Sequence, residues 1–379
     1  MRIVFTGGGT GGHFYPIIAV AEAVRDIVKE KKLLEPELYF FGPNIVDERA
    51  LYDNDIRFIR SRAGKMRRYF SIQNFFDSFK TFFGIITTFV MLYRLYPDVI
   101  FSKGGYGAMP TLIAAKYLRI PVVLHDSDAV PGRATMYAAH FAKKIALSYD
   151  DAIEHIAVKD RDKIAVTGNP VRREIVNPAR DGAHEFLDLE RNVPVILVVG
   201  GSQGAEAINN VILEALPDLV SRYQVIHQTG TFHFGPITET AKVILDRNER
   251  RYRYKAYPYL TTLAMKMAAG AADLVVTRAG SGAIAEAALW GKASIVIPIP
   301  ESISRDQRSN AFAYAHHGAC VVIEQANLTP HLLTAEIDRL FTNPKARLDM
   351  AEAASAFARP HAARTLAEAL LDIGVSHEA

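Results

Sequence analysis

The sequence has little cysteine, few long apolar runs and no excess of one charge. Its single cysteine, Cys320, cannot form an internal disulfide, so the composition favours a reducing compartment. We expect this thiol to belong to a small buried strand residue. The net charge of +3 comes without a long run of lysine or arginine, which argues against a nucleic-acid-binding protein.

Several motifs are also absent from the sequence. The opening MRIVFTGGGTGGH reaches glycine before an apolar segment of sufficient length has formed, so we expect no signal peptide. Without a G-x-x-x-x-G-K-[ST] motif, P-loop nucleotide chemistry has no support. No H-E-x-x-H spacing occurs, so we predict no metal site and no cofactor. A divalent cation such as Mg²⁺ that bridges the phosphates of a ligand would leave no motif to read.

Short β-branched runs alternate with helical stretches along the chain. This pattern predicts an α/β fold with parallel sheets that are covered on both faces. A chain of 379 residues is too long for one ordinary core, so we expect two domains. The break at Gly168-Asn169-Pro170 predicts a first domain over 1–167 and a second over 168–357.

Four glycine-rich stretches each follow a predicted strand and open a helix. Backbone N–H groups in such turns can approach an anion closely, and the helix dipole favours negative charge there. We interpret them as phosphate-binding loops, although glycine also permits tight packing. The stretches cover 7–12, 104–106, 200–204 and 277–291.

The first loop also fits the dinucleotide pattern G-x-G-x-x-G, as Gly7, Gly9 and Gly12. That interpretation requires a carboxylate at the end of the second strand. The second strand, ELYFFGPN, ends without one, since Glu37 stands at its beginning. We therefore expect neither NAD nor FAD.

Seven motifs in a fixed order cover nearly the whole chain: GGTGGH, GGY, LHDSDAVPG, GNPVR, GGSQGA, RAGSGAIAE and DQRSNA. In this order they resemble the MurG family, the N-acetylglucosaminyl transferases of peptidoglycan synthesis. The resemblance implies a GT-B fold, with two Rossmann-like domains whose parallel sheets face a central cleft. It also implies transfer of N-acetylglucosamine, with inversion, from UDP-N-acetylglucosamine to the C4 hydroxyl of N-acetylmuramic acid in lipid I. Lipid I is an undecaprenyl-diphosphate-linked acceptor, and the product would be lipid II.

The resemblance also implies a division of labour between the domains. The domain over 1–167 would bind the lipid acceptor, and the domain over 168–357 would bind the UDP-sugar donor. A terminal helix over 358–379 would cross back and pack on the first domain.

Two histidines are candidates for the base that takes the acceptor's hydroxyl proton. His13 ends the first glycine loop at the start of a helix, where the helix N-terminus is expected to lower its pKa and keep it neutral. Its alternative role is capping or hydrogen bonding within its own loop. His125 is expected to face the cleft just past a buried strand, either as the rival base or as a positioning residue. The sequence leaves the choice open.

The resemblance further implies binding residues for both substrates. Arg172 and Ser202 would contact the UDP diphosphate. Glu286 would bind the ribose hydroxyls and Gln307 the sugar hydroxyls, while Leu260 would offer backbone contacts to uracil. The remaining donor-side residues are Thr10, Gly11, Gly12, Ser281, Gly282 and Ala283. The implied acceptor-side residues are Gly104, Gly105, Tyr106, Asp126 and Asp128.

Three places depart from the family pattern. Ala283 stands where threonine is frequent, and Asp306 stands where glutamine or histidine is frequent. The run HDSD at 125–128 replaces a common H-E-x-N. The first two departures leave the choice between N-acetylglucosamine and its galacto epimer open, and the third concerns the acceptor side.

Residues 67–96 are rich in phenylalanine, with apolar residues at helical spacing. The longest uncharged run, 81–93, is shorter than the ~20 residues that span a bilayer. We therefore expect peripheral attachment to the cytoplasmic side of the cell membrane. The part from about 78 to 95 is expected to pack on the sheet. The lipid contact is expected from Lys65, Arg67, Arg68, Phe70, Phe75 and Phe76.

Two other functions stay open at this stage. A related GT-B enzyme could use another lipid acceptor, such as diacylglycerol. A non-catalytic sugar-nucleotide-binding scaffold could help to assemble a cell-wall synthesis complex, whose proteins are also candidate partners of the enzyme. The pairing of GGTGGH with GGY favours a diphosphate-linked acceptor, and the presence of both histidines argues against a scaffold.

Overall fold

The computed structural model describes residues 1–64, 72–201, 204–303 and 305–378. Within these ranges, the side chains of 72–80, 305 and 378 are not described. The chain divides into one compact unit over Met1–Arg172 with Arg359–Ala379, and another over Arg173–Ala358. The division falls a few residues beyond the expected boundary. The reason is that Gly168 is held in the first unit, where its carbonyl oxygen lies 2.9 Å from His125 Nε2.

Parallel strands form one sheet in each unit. The seven-stranded sheet of the first unit has the order β3-β2-β1-β4-β5-β6-β7. Its strands are β1 Arg2–Thr6, β2 Glu37–Gly42, β3 Ile56–Arg60, β4 Val99–Ser102, β5 Val122–Asp126, β6 Lys144–Leu147 and β7 Ile164–Val166. In register, Ile3 of β1 lies between Leu38 and Val99. The fully buried middle strands carry the continuous apolar runs that predicted them.

The six-stranded sheet of the second unit has the order β10-β9-β8-β11-β12-β13. Its strands are β8 Val195–Val199, β9 Gln224–Gln228, β10 Tyr254–Tyr257, β11 Leu274–Arg278, β12 Ser294–Ile297 and β13 Val321–Val322. Cys320 precedes β13 and is only 8% exposed. Burial raises the pKa of its thiol to about 12, as fits a packing role.

Helices cover both faces of the sheets. They are α1 Gly11–Lys31, α2 Glu48–Asp53, α3 Ile72–Leu95, α4 Met109–Leu118, α5 Arg133–Ala138, α6 Arg173–Val176, α7 Ala183–Phe186, α8 Glu206–Arg222, α9 Phe234–Ile244, α10 Thr262–Ala271, α11 Ser281–Leu289, α12 Arg305–His316, α13 Pro330–Thr342, α14 Pro344–Phe357 and α15 Ala362–Glu378. The C-terminal α15 belongs to the first unit, where it packs on α1. Leu366 and Leu370 join the apolar core beneath α1, and Arg364 pairs with Glu30 at 2.7 Å.

Helix α3 packs differently from the expectation that its 78–95 part lies on the sheet. It packs against α4, and a narrow strip of Gly84, Thr88 and Leu92 faces the protein. A Cβ on Gly84 would come within 1.7 Å of the Arg62 carbonyl oxygen, and Thr88 Oγ1 lies 2.9 Å from Ser61 Oγ. Only a glycine allows this approach of helix and loop.

The apolar stripe of α3 points away from the protein, so the prediction that it packs on the sheet is wrong. Several of its side chains are half exposed or nearly so: Phe82, Phe83, Ile86, Val90 and Tyr93. The helix that the periodicity predicts is present, but the small residues between the stripe positions make the internal contact. We find no membrane-spanning helix within the ranges that the structure describes.

Candidate functional site

The glycine loops follow the central strands of the two sheets. Strand order reverses between β1 and β4 in the first unit and between β8 and β11 in the second. Ligands of open parallel sheets bind beyond the carboxyl ends of the strands at such reversals. The topology therefore places loops 7–10 and 103–105 next to each other in one unit. It places the loops that follow Val199 and Arg278 next to each other in the other unit.

In the first unit, two glycine loops meet backbone to backbone. Gly105 has φ +79°, and a Cβ on it would lie 2.9 Å from Gly8 Cα. A Cβ on Gly107 would lie 2.5 Å from the Gly7 carbonyl oxygen. For these glycines, tight packing is itself sufficient reason for the residue type.

Other glycines face open space. A Cβ on Gly12, Gly201, Gly280 or Gly282 would meet no atom within 4 Å. Three of the four lie at the N-terminal ends of α1 and α11, where the first N–H groups have no acceptor within the helix. The N-cap residues of these two helices supply no side-chain cap. Both helix ends can therefore present free N–H groups and a positive dipole end to an anion.

His13 lies in the first turn of α1 with its two ring nitrogens in different surroundings. Nδ1 lies 3.0 Å from Thr10 Oγ1, so the hydrogen bond within the loop that the sequence allowed is present. Nε2 lies 3.1 Å from the position that a Cβ on Gly105 would take. The ring thus spans from its own loop to the neighbouring glycine loop.

Electrostatics keep the His13 imidazole neutral. Its pKa is lowered to about 4: burial is the largest cause, the Lys103 ammonium acts in the same direction, and Asp128 opposes both. The lowered pKa confirms the expected direction. The main causes are burial and Lys103, whereas the helix N-terminus was the cause that we expected.

His125 is part of β5 and is fully buried, so the prediction that it stands just past the strand is wrong. Its Nε2 is occupied at the Gly168 carbonyl oxygen, and its Nδ1 has no hydrogen-bond partner within the described residues. Burial and then Lys103 hold its pKa well below the usual range. The geometry suits a residue that ties the end of β5 to the segment after β7.

Asp126 shapes the loop that follows β5. Its carboxylate accepts the backbone N–H groups of Asp128 at 3.2 Å and Gly132 at 2.9 Å. Burial and then Asp128 raise the pKa of Asp126. The Asp126 carboxylate is therefore occupied by hydrogen bonds within its own loop. Asp128, by contrast, is only half buried. Tyr106 lies near the first glycine loop, with its hydroxyl 3.2 Å from where a Cβ on Gly9 would lie.

Lys103 lies between these loops, and no motif in the sequence indicated it as a functional residue. The residue is 2% exposed, and its backbone N–H donates to the Thr6 carbonyl oxygen at 2.8 Å. Its Nζ has no hydrogen-bond partner among the residues described. The only sign of such a role in the sequence is that a lysine stands directly before a glycine pair at the end of an apolar strand.

In the second unit, the N-terminal turn of α11 contains Ser281, Gly282 and Ala283, which are half buried. The bond from Ile284 N–H to the Gly280 carbonyl oxygen, at 3.0 Å, is the first of the helix, so the three preceding N–H groups come before it. Glu286 lies one turn further along and is also half buried. Free N–H groups with a carboxylate one turn away suit a ligand that carries both phosphate and hydroxyl groups.

Gln228 holds two loops of the second unit together, and no motif in the sequence indicated this role. Its Nε2 donates to the Gly201 carbonyl oxygen at 3.2 Å, and its Oε1 accepts the Leu260 backbone N–H at 2.9 Å. Leu260 is 2% exposed. Its N–H is therefore already bonded. Of its backbone polar groups, this leaves the carbonyl oxygen for a contact with uracil.

Two residues of α12 brace the same unit. Gln307 Oε1 accepts the Ile299 backbone N–H at 3.2 Å, and Asn310 Nδ2 donates to the Ala279 carbonyl oxygen at 3.3 Å. Asn310 thus supports the loop that precedes α11. The only sign of this role in the sequence is that Asn310 belongs to the motif DQRSNA.

Arg172 belongs to the first unit, whereas the loops after β8 and β11 belong to the second. Its guanidinium lies over the Tyr15 ring of α1, 4.5 Å from the ring centroid. Ser202, Lys65, Arg67, Arg68 and Phe70 lie outside the described residues, as do the side chains of Phe75 and Phe76. No group of three or more metal-ligating side chains occurs within the described part of the chain.

Comparison with known proteins assigns both units. Residues 3–147 match the glycosyltransferase family 28 N-terminal domain, and residues 195–366 match the C-terminal domain of that family. A relative from Treponema denticola is 35% identical, over 87% of this chain and 85% of its own. A relative from Halothermothrix orenii is 34% identical, over 98% of this chain and 99% of its own. Both are named UDP-N-acetylglucosamine–N-acetylmuramyl-(pentapeptide) pyrophosphoryl-undecaprenol N-acetylglucosamine transferase.

The crystal structure of MurG from Acinetobacter baumannii is similar in fold, with a TM-score of 0.72 over 98% of this chain and 99% of that chain. Its sequence identity is 23%, so this similarity concerns the fold. It confirms the predicted α/β architecture of GT-B type with two parallel sheets. With both family domains matched and relatives above 30% identity along nearly the whole chain, this protein belongs to the MurG family of family 28 glycosyltransferases.

Proposed function

We propose that this protein is an inverting glycosyltransferase that moves N-acetylglucosamine from UDP-N-acetylglucosamine to the C4 hydroxyl of N-acetylmuramic acid in lipid I. The product is lipid II, a precursor of peptidoglycan. The names of the relatives state this donor and this acceptor, which disfavours diacylglycerol as the acceptor. The observation that carries the proposal is the neutral His13 imidazole between two glycine loops, since a scaffold would need no such base.

The reaction is a single displacement. The acceptor hydroxyl oxygen bonds to C1 of the donor sugar, while the bond from C1 to the phosphate oxygen breaks and UDP leaves with the electron pair. The hydroxyl proton passes to His13 Nε2. For this step the resting proton of the ring must be on Nδ1, which then donates to Thr10 Oγ1. The Thr10 hydroxyl can accept this hydrogen bond, and in that arrangement Nε2 is free to accept the proton.

The donor is bound through the second unit. The N–H groups of Ser281, Gly282 and Ala283 face the phosphate or sugar oxygens, and the α11 dipole stabilises the negative charge of the leaving UDP. Glu286 accepts hydrogen bonds from the ribose hydroxyls, and Gln307 binds sugar hydroxyls. We assign Arg172 and Ser202 to the UDP diphosphate on the family resemblance alone, and Thr10, Gly11 and Gly12 to the donor sugar on the same ground.

The acceptor is bound through the first unit. The loop of Gly104, Gly105 and Tyr106 and the loop of Asp126 and Asp128 both end at the carboxyl edge of the sheet. Since ligands of open parallel sheets bind at this edge, we assign these loops to lipid I.

We also propose that the exposed apolar face of α3 contacts the cytoplasmic surface of the cell membrane. Phe82, Phe83 and Tyr93 are more than half exposed, and the exposed Arg62 and Arg94 provide positive charge for anionic headgroups. Such a peripheral contact suits an enzyme with a lipid-linked acceptor. The expected residues Lys65, Arg67, Arg68, Phe70, Phe75 and Phe76 precede this face or begin the same helix.

A transfer assay tests the function. Purified protein is given radiolabelled UDP-N-acetylglucosamine and a short-chain lipid I analogue, with His13→Ala, His13→Gln and the exposed control His361→Ala in parallel. We expect transfer by the wild type and by His361→Ala, and a loss of about 10²–10⁴-fold in both His13 variants with UDP affinity nearly intact. Binding of UDP without any transfer by the wild type would move the function to another acceptor or to a scaffold. Full turnover by His13→Gln would exclude His13 as the base.

A further inference from the structure

Lys103 combines complete burial with an unpaired charge. It is 2% exposed, and its Nζ has no hydrogen-bond partner within the described ranges. Burying an ammonium group without a bonded partner is costly, so ordinary packing would favour an apolar residue at this position. The pKa of Lys103 is lowered only to about 8, because burial lowers it while Asp126 and Asp128 act in the opposite direction. The side chain therefore remains mostly charged at neutral pH.

The backbone fixes the side chain behind the two glycine loops. The Lys103 N–H bonds to the last residue of β1, and its Cβ lies 3.5 Å from where a Cβ on Gly7 would be. Gly104 and Gly105 follow directly, both with positive φ. Lys103 thus begins one loop and lies beneath the other, at the reversal of strand order between β1 and β4.

Other groups around Lys103 leave its charge incompletely balanced. Asp126 spends both carboxylate oxygens on backbone N–H groups. His125 contributes a neutral imidazole. Asp128 is the other nearby carboxylate, and it also acts on His13. Arg172 is a further cation of the first unit, and its guanidinium is stacked on the Tyr15 ring of α1.

We propose that Lys103 is a positioning residue whose buried ammonium attracts the acceptor's diphosphate to the two glycine loops and holds His13 unprotonated until that anion is bound. This inference rests on the proposed function. Lys103 acts through its field, because its Nζ is closed off from solvent. Once the diphosphate is bound, its negative charge offsets the ammonium, and the proton affinity of His13 rises into the range where a base works well.

The first test is a titration of His13 by NMR in the full-length protein, with isotope-labelled histidine. His13→Gln identifies the resonance. We compare the wild type, Lys103→Met and Lys143→Met, where Lys143 is an exposed lysine of the same unit and controls for net charge. In Lys103→Met we expect the His13 midpoint to rise by about one pH unit or more, a tenfold or larger gain in proton affinity. Lys143→Met should stay at the wild-type midpoint. An unchanged midpoint in Lys103→Met would overturn the inference.

The second test measures an anionic ligand directly, with geranyl diphosphate as the probe and geraniol as its uncharged counterpart. We expect geranyl diphosphate to raise the wild-type His13 midpoint, and Lys103→Met to bind this probe about tenfold more weakly. Geraniol should do neither. Equal affinity of the wild type and Lys103→Met for the diphosphate would refute the attraction. The measurement on the wild type needs no variant, so the proposal can be tested even if Lys103→Met folds poorly. A wild-type His13 midpoint that does not change when geranyl diphosphate is added would refute the proposal.

The pH dependence of transfer separates this role from a structural one. If Lys103 only supported the fold, its loss would lower transfer equally at every pH. We expect instead that Lys103→Met loses most activity at low pH, with the acidic limb of kcat/KM moved upward. Failure of the wild type to transfer sugar would refute the proposed function, while the NMR midpoints would still decide whether Lys103 controls His13.

Discussion

Gln228 offers a sharp test of how the second unit holds its donor loops. Its side chain bonds Gly201 and Leu260 at once, and so links the loop after β8 to the segment after β10. Replacing Gln228 by leucine keeps the volume close but removes both bonds. The exposed Gly201 carbonyl can turn to water, whereas the Leu260 N–H remains buried without an acceptor.

The cost follows from that difference. A buried N–H that loses its acceptor costs about 1–3 kcal/mol. We therefore expect Gln228→Leu to lower the free energy of unfolding by this amount. If the two freed loops form the UDP site, UDP binding should also weaken by about tenfold, which corresponds to ~1.4 kcal/mol.

Urea denaturation and calorimetric titration with UDP measure the two effects. Gln224→Leu is the matched control, because Gln224 is an equally buried glutamine at the opposite end of β9. Its side chain also makes several backbone hydrogen bonds, to Glu190 and Val193. We expect the control to lose stability comparably and to keep its UDP affinity. Equal UDP affinity in Gln228→Leu and in the control would refute the role of Gln228 in positioning the donor loops.

Three further predictions concern other parts of the molecule. Glu286→Ala should weaken UDP binding, and an unaltered dissociation constant in a calorimetric titration would show that the ribose assignment is wrong. Gly84→Ala should destabilise the protein by about 1–3 kcal/mol in urea denaturation, because its Cβ would collide with the Arg62 carbonyl oxygen. Gly235→Ala, with open space around its Cβ, should be neutral or stabilising. Equal effects of the two substitutions would contradict the described packing of α3. The lowered pKa of His13 means that the folded protein binds this proton less readily than the unfolded chain does. The stability that His13 contributes is therefore present above about pH 6.5 and is lost as pH falls toward 4. A stability difference between wild type and His13→Gln that does not change over this range would contradict this prediction.

Much of the fold could be predicted because its signals are local. Buried parallel strands require continuous apolar runs, and turns that approach a neighbouring backbone require glycine. The order of strands in a sheet is not a local property, and this is why Lys103 was missed. Its sequence neighbours show only the end of a strand. Its burial arises because β4 lies between β1 and β5, with loops from both closing over it.

His125 and α3 also show that local sequence does not determine burial: His125 is more buried than expected, and the apolar stripe of α3 is more exposed. His125 ends an apolar run, and the sequence gives no sign that β5 continues through it and that β7 brings the Gly168 carbonyl to its ring. In α3 the large apolar residues form the obvious stripe, yet the internal contact uses Gly84 and Thr88. A helix that makes close contact through small residues can leave its apolar stripe for another surface.

The two sheets share the same pattern of strand reversal, but the loop after β4 in the first unit and the loop after β11 in the second have different surroundings, which suit different tasks. In the first unit, Gly105 and Gly107 are closed by neighbouring backbone, with a buried ammonium behind them and a neutral imidazole beside them. In the second, Gly280 and Gly282 open onto free space at a helix N-terminus. An open helix end stabilises an anion without a titrating group, which suits the departure of UDP. A closed loop backed by a fixed charge controls the protonation of a base, which is the requirement on the side where a hydroxyl must lose its proton.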